Sequence, residues 1–475
     1  MMMDFYEMTM SYGYFRQTHG DVRVAFDLFF RSVPDRGGYA VFAGLEHVIE
    51  FVENLSFSDE DIDYFRAQNL FSEEFLSFLR GFRFRGDIYA VPEGTIIYPN
   101  EPLMTIVAPI IDAQLIETAI LAQINHQSLI ATKASRIVRA AEGRKVSDFG
   151  ARRAHNMDAA TYGARAAYIG GVDMTATVSA GQQFGIPISG TMAHSWIMFF
   201  EDEFAAFKKY AELYPQATVL LVDTYDVIHS GIPNAIRTAH EVLAPQGHRL
   251  AGVRIDSGDL AYLSKRVRTM LDDAGLTDCK IILSNSLDEF TISSLLLQGA
   301  QVDSFGVGER LITAKSDPVF GAVYKLVAVE KDGVFAPRIK MSENVEKLTN
   351  PGIKDLYRIY DRHGKAVADM LALQGEEIDL TKPFRYVDPR KPWKNRFFEG
   401  FSAVNLRRLY VRSGKRVEQL PTLEEIRCYV QKQLAEEIWP EEQRFENPHR
   451  HYLDMTPMYY EVKMGLLDDM RGKHS

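Results

Sequence analysis

LAGVRIDSGDLAYLSKRVRTML (Leu250–Leu271), with KIILSN (Lys280–Asn285) close behind it, reads as strand, helix, strand. The first run is apolar up to a polar tip at Arg254 and Asp256. A capping-type start follows at Ser257-Gly-Asp, and then Leu260, Leu263, Val267, Met270 and Leu271 recur at helical spacing. KVSDFG (Lys145–Gly150), GIPISGT (Gly185–Thr191), ATVLLVDT (Ala217–Thr224) and VDSFGVG (Val302–Gly308) repeat the form of the strand. Successive tips lie about 20 to 35 residues apart, the size of a βα unit. Near-continuous apolar strands, each followed by a helix, imply a parallel sheet covered on both faces. An open doubly wound sheet and a closed β/α barrel both satisfy this, and in both the chemistry gathers at the C-terminal strand ends. The tips carry Asp148 and Arg152, Thr191 and His194, Asp223 and Asp226, Arg254 and Asp256, Ser284 and Asn285, and Gly306 and Gly308. Six such tips favour the barrel, where every loop faces one site.

Outside this region the rhythm changes. Val22–Ser32 reads as a strand, and Phe84–Pro109 as short strands broken by Pro-Glu-Gly and Pro-Asn-Glu-Pro turns. From Asp112 to about residue 142 the pattern is helical. Beyond Gly321, hairpins are expected around Lys331-Asp-Gly and Asp361-Arg-His-Gly, then a charged helix from Thr422 to about residue 437. The aromatic, charged tail from Glu446 is expected to pack on the surface.

The chain has 475 residues, 46% hydrophobic and 25% charged, which excludes wholesale disorder and allows a large core. No apolar run reaches the length of about 18 residues needed to cross a bilayer, and MMMDFYEMTM lacks the basic and apolar regions of a signal peptide. Two cysteines, Cys279 and Cys428, form neither a disulfide framework nor a cysteine-rich zinc site, so a reducing cytoplasm is expected. The net charge of −10 argues against a broad nucleic-acid surface, but it leaves room for a local arginine cluster around an anionic small molecule.

Arg152, Arg153 and Arg254 lie in or just after strands. Either they pair with Asp148, Asp223 or Asp256, or they clamp phosphate oxygens, which guanidinium matches bidentately. His194 sits among small residues (Ser189, Gly190, Thr191, Ala193, Ser195), leaving space for a ligand beside the ring; it is either a structural histidine or a base or nucleophile. SFGVGERL (Ser304–Leu311) is a strand, a Gly-x-Gly turn and a helix start, which suits a phosphate as well as a plain tight turn. No HExxH spacing or metal cluster stands out.

Taken in order, DFYEMTMSYGY, FDLFFRSVP, SDFGARRAH, SGTMAHSW, VDTYD, GVRIDSGDL, SNSLDE, FGVGERL and VYKLVAV resemble the nicotinate phosphoribosyltransferase family over nearly the whole chain. The resemblance implies an irregular β/α barrel over residues 145–321, connecting helices at 112–144, and a mixed α/β domain built from 1–111 and 322–475. It also implies a homodimer with composite active sites. The implied reaction joins nicotinate to 5-phosphoribosyl 1-diphosphate, with magnesium on the donor. ATP is a co-substrate, coupled through a transient phosphohistidine at His194. Nicotinate would be bound by Tyr6 of the neighbouring subunit, Phe149, Thr191 and Arg254. The donor would be bound by Arg31, Arg152, Asp223, Asp256, Gly306, Gly308 and Lys325, with Asp223 or Asp256 nearest the metal. The related nicotinamide enzymes resemble AAEHS before the histidine, where this chain has Ala193 in GTMAHS. A non-catalytic phospholigand-binding barrel would keep the glycines and arginines but has no need of His194.

Overall fold

The computed structural model describes residues 2–18, 20–340, 348–378, 382–387 and 395–474. The chain forms two compact units, Met1–Leu129 with Val319–Ser475, and Ile130–Pro318. The division falls inside one long helix, Glu117–Ala140, rather than at either end of the 112–144 segment.

The first unit is built on a seven-stranded antiparallel sheet. Its order is Val334–Pro337, Val323–Lys331, Arg23–Phe29, Met104–Pro109, Asp87–Ala90, Arg408–Arg412 and Lys415–Arg416. Arg23–Phe29 is paired on both sides, and its last six residues are all buried. The charged residue among them, Asp27, takes hydrogen bonds from Thr105 Oγ1 and Lys354 Nζ, so the carboxylate does not stand alone in the core. The expected Lys331-Asp-Gly hairpin is present: Lys331 pairs with Val334, and Asp332 and Gly333 both have positive φ (52° and 78°), as a primed two-residue turn requires. The second hairpin joins Lys354–Tyr360 to Ala366–Leu373. The charged helix Leu423–Lys432 starts at a capping box between Thr422 and Glu425.

The tail does more than pack on the surface. Leu453–Met455 adds a parallel strand to Ala366–Leu373, and Tyr459 is fully buried with its hydroxyl donating to Pro351 O at 2.8 Å. Among the described residues no helix is long and apolar enough to cross a membrane.

The second unit carries six parallel strands: β1 (Lys145–Asp148), β2 (Met174–Thr175), β3 (Val219–Leu221), β4 (Gly252–Ile255), β5 (Lys280–Ser284) and β6 (Ser304–Val307). Their order is β2-β1-β6-β5-β4-β3. Helices lie between most of them, among them Met157–Ile169, Glu203–Leu213, Leu260–Asp273 and Glu289–Leu297. In Leu260–Asp273 the residues Leu260, Ala261, Ser264, Val267 and Leu271 are buried, so Leu260, Val267 and Leu271 of the stripe read from the sequence lie on the packed face, with Leu263 and Met270 half-buried at its edge. Each fully buried leucine or valine there contributes about 1.5–3 kcal/mol.

Two expectations change. GIPISGT contributes a single bridge, Ile188 to Thr175, rather than a strand. The sheet is also not closed. First and last strands pair, with Ser304–Val307 against Lys145–Asp148, but no ladder among the described residues joins β3 to the Ile188 segment. Pro187 has no N–H to give to a ladder, and the glycines on either side, Gly185 and Gly190, favour a bent chain over an extended one.

Candidate functional site

Within the second unit the strand tips assemble two connected groups. The first is centred on Arg254 at the end of β4. Its Nη1 donates to Thr191 Oγ1 at 2.7 Å, and its guanidinium carbon lies 5.7 Å from the centroid of the Phe149 ring. Among the described residues it has no ion-pair partner, and its Nε is buried with no hydrogen bond. Burial pushes the guanidinium below its ordinary pKa against the pull of Asp256 and Asp223, and Arg152 adds to the lowering. This is a desolvated cation with an unused donor, beside an aromatic face.

Phe149 is held from both sides. Its N–H donates to Val307 O at 2.7 Å. A Cβ at Gly306 would stand 2.4 Å from ring atom Cε2 and 3.3 Å from Ser284 Cβ. Gly306 is therefore glycine to make room for the ring. Gly306 lies in the ladder between Ser284 and Ser147. Gly308, beyond the strand end, caps the four-residue helix Glu309–Ile312.

The second group is centred on Asp223, just past β3, whose side chain is 1% exposed. One carboxylate oxygen lies 3.2 Å from His194 Nε2. The other accepts from Asp256 N at 3.1 Å and Ser257 Oγ at 2.6 Å. His194 opens the helix His194–Phe199, and its side chain is 41% exposed. Asp256 Oδ1 accepts from Ser284 Oγ, and among the described residues its second oxygen has no hydrogen-bond partner. The capping-type start at Ser257-Gly-Asp is present, with Asp259 at the cap accepting from Tyr262 N. Sequence reasoning did not single out Ser257 as a site residue. Asp259, immediately before Leu260, was the available signal.

Other residues separate from these groups. Asp148 is fully buried, holds Thr175 Oγ1 and Gly150 N at 2.8 Å each, and is raised by burial; it fixes the turn into Phe149. Asp226 caps the next helical turn through Ile228 N and His229 N. Arg152 and Arg153 are exposed and pair with none of the expected aspartates.

In the first unit, among the described residues, Arg31 and Lys325 make no ion pair, and Arg31 Nε is buried without a hydrogen-bond partner. Burial lowers the Lys325 ammonium, and Arg31 and Lys340 lower it further. Tyr6 stands near the start of the helix Phe5–Thr18, which is anchored rather than frayed. Buried Glu7 accepts from Thr118 N at 2.9 Å, and Asp4 N reaches Thr118 Oγ1 at 3.3 Å. The Tyr6 hydroxyl is pushed up to about 12 by burial and then by Glu117, while the residue stays 44% exposed.

The described residues contain no group of three His, Cys, Asp or Glu side chains arranged to hold a metal ion.

Family models cover most of the chain. The nicotinate phosphoribosyltransferase N-terminal domain matches residues 1–125, the nicotinate phosphoribosyltransferase family 144–349, and its C-terminal domain 353–463. Nicotinate phosphoribosyltransferase of Bacillus subtilis is 45% identical over 473 residues, 99% of this chain and 95% of that protein. The chain belongs to the nicotinate phosphoribosyltransferase family. Its Caenorhabditis elegans relative of the same name is 35% identical, with 97% and 92% covered. Human nicotinic acid phosphoribosyltransferase superposes with a TM-score of 0.85 at 28% identity, over 98% of this chain and all of that one. A nicotinate-nucleotide pyrophosphorylase from Pyrococcus furiosus gives 0.68 at 26%, over 91% and 94%. This family's fold is mixed α/β, as observed here.

Proposed function

We propose that this protein joins nicotinate to the phosphoribosyl group of 5-phosphoribosyl 1-diphosphate in NAD biosynthesis and salvage, with ATP hydrolysis coupled through His194. The observation that carries the substrate assignment is Arg254. An unpaired, desolvated guanidinium is costly by itself, and an arriving carboxylate offsets that cost. Nicotinate supplies the carboxylate for Arg254 and a flat ring for Phe149, with Thr191 holding the guanidinium in place. The pyridine nitrogen lone pair forms the bond to ribose C1 as the C1–O bond breaks, and that electron pair leaves with diphosphate. Charge builds on the leaving group, so Arg152 acts as a fixed counter-charge. Gly308 meets the 5′-phosphate at the strand end. Magnesium bound to the donor would supply positive charge to the diphosphate, and Asp256 would face it through the oxygen that Ser284 leaves open.

His194 carries the coupling. With Nε2–H on Asp223, the lone pair is on Nδ1. Nδ1 attacks the γ-phosphorus of ATP, the P–O bond to ADP breaks, and water later takes the phosphoryl group and restores the imidazole. Asp223 balances the charge on the phosphorylated ring.

The working form is a cytoplasmic homodimer in which Tyr6 reaches the neighbouring subunit's pyridine site. Its half-exposed ring on an anchored helix suits that task, and both cysteines are free thiols.

Product analysis with nicotinate and nicotinamide in parallel, with and without ATP, tests the assignment. Nicotinate mononucleotide is expected, with ATP stimulating its formation. Conversion of nicotinamide alone would refute the role given to Arg254. Donor binding without any product would indicate a phospholigand-binding protein.

A further inference from the structure

We infer that Ser257 is a positioning residue for the coupling step: its hydroxyl fixes the rotamer of Asp223, and Asp223 thereby fixes the ring of His194. This rests on the phosphohistidine reading above. The chain is arranged to release this hydroxyl from the helix. After β4, Gly258 turns with φ +81°, a conformation that favours glycine, and a Cβ there would meet Leu263 Cδ1 at 2.8 Å. The turn lets Asp259 take the capping position, where its Oδ1 accepts from Tyr262 N at 3.0 Å. Ser257 Oγ is then directed to Asp223 Oδ2 at 2.6 Å, beside the Asp256 N–H at 3.1 Å. Two donors on one oxygen set the carboxylate plane, and the opposite oxygen lies 3.2 Å from His194 Nε2.

The backbone donor is common to any residue at position 256 except proline; the hydroxyl is the part chosen by sequence. A carboxylate held by one donor can rotate about its Cβ–Cγ bond. His194, 41% exposed, has no other hydrogen bond among the described residues to hold its ring. The hydroxyl of Ser257 is therefore the remote end of the only side-chain chain that aims Nδ1. Ser257 touches neither substrate nor the reacting atoms in this scheme.

The test measures the rate at which the full-length enzyme takes acid-labile, base-stable label from γ-labelled ATP. Four variants are compared: Ser257→Ala, Ser257→Thr, Asp223→Ala, and Ser257→Ala together with Asp223→Ala. Ser257→Ala is expected to slow labelling about tenfold, the range for losing a hydrogen bond to a charged group, and Ser257→Thr to restore it. In the Asp223→Ala background Ser257→Ala should add nothing, because the partner through which it acts is gone. The melting temperature of Ser257→Ala should fall by only about a few degrees, since Asp259 keeps the cap. Multiplying rate losses in the double variant would overturn the inference while leaving His194 phosphorylation intact. So would full-speed labelling of Ser257→Ala. Absence of label in the parent enzyme would refute the phosphohistidine itself and this role with it.

Discussion

Replacing Arg254 with glutamine removes a charge while keeping an amide donor that can still reach Thr191 Oγ1. Truncating one partner of a buried charge-assisted contact costs about 2–5 kcal/mol. Arg254 belongs near the lower end, because it is only partly enclosed and the amide retains one hydrogen bond. A loss of about 2–3 kcal/mol is roughly 30- to 160-fold in kcat/KM for nicotinate. Nicotinamide has no carboxylate to lose, so its kcat/KM should change only a few-fold, and the preference for the acid should collapse by most of that factor. KM for the phosphoribosyl donor should stay close to the parent value. The unliganded protein should melt no lower than the parent, since the substitution removes a desolvated cation that has no ion-pair partner. Steady-state kinetics with each base varied at saturating donor, and with the donor varied at saturating nicotinate, separate these terms. Equal losses for both bases, or a selective rise in KM for the donor, would move Arg254 off the carboxylate and refute the reasoning.

The other expectations follow from the same geometry. His194→Asn should abolish ATP hydrolysis while some ATP-independent transfer remains; equal loss of both in a folded protein would give His194 a direct part in glycosyl transfer. Gly306→Ala should drive Phe149 from its position, raising KM for nicotinate at least tenfold with a smaller effect on the donor; a selective loss of donor affinity would return Gly306 to the phosphate. Mixing inactive Tyr6→Ala and His194→Asn proteins under subunit exchange should restore ATP-coupled activity, because one site in each mixed dimer is intact; confirmed exchange without activity would refute shared sites. Burial alone would raise the Asp369 carboxyl, but Arg358, bonded to both its oxygens, outweighs that and holds it well below its ordinary value. Its stabilisation is therefore complete above the unfolded value near about 4 and fades as pH falls through the depressed folded value. Asp369→Asn should cost about 3–5 kcal/mol at pH 7 in urea denaturation and flatten the acid limb below about pH 4; parallel acid limbs in both proteins would contradict this.

What the sequence disclosed depended on whether a signal was local. Leu260, Val267 and Leu271 report a packed helix face through spacing alone, and Asp332-Gly333 reports its turn through the backbone it demands. Pairing is not local. Nothing in GIPISGT states that it will give one bridge, and nothing near Leu453 announces that a tail segment will join Ala366–Leu373 from about eighty residues away. The site divides the same way. Residue type exposed Arg254, His194 and Asp223 as candidates, because charge at a buried strand tip requires a reason. Gly306 and Ser257 each sit in a stretch with a common local use, a Gly-x-Gly turn and a capping segment. Only their neighbours in space, the Phe149 ring and the Asp223 carboxylate, show the other use. In a parallel α/β sheet those neighbours lie on other strand tips, tens of residues away in sequence. The reacting groups are thus the legible part of such a site, and the residues that orient them are the part that needs coordinates.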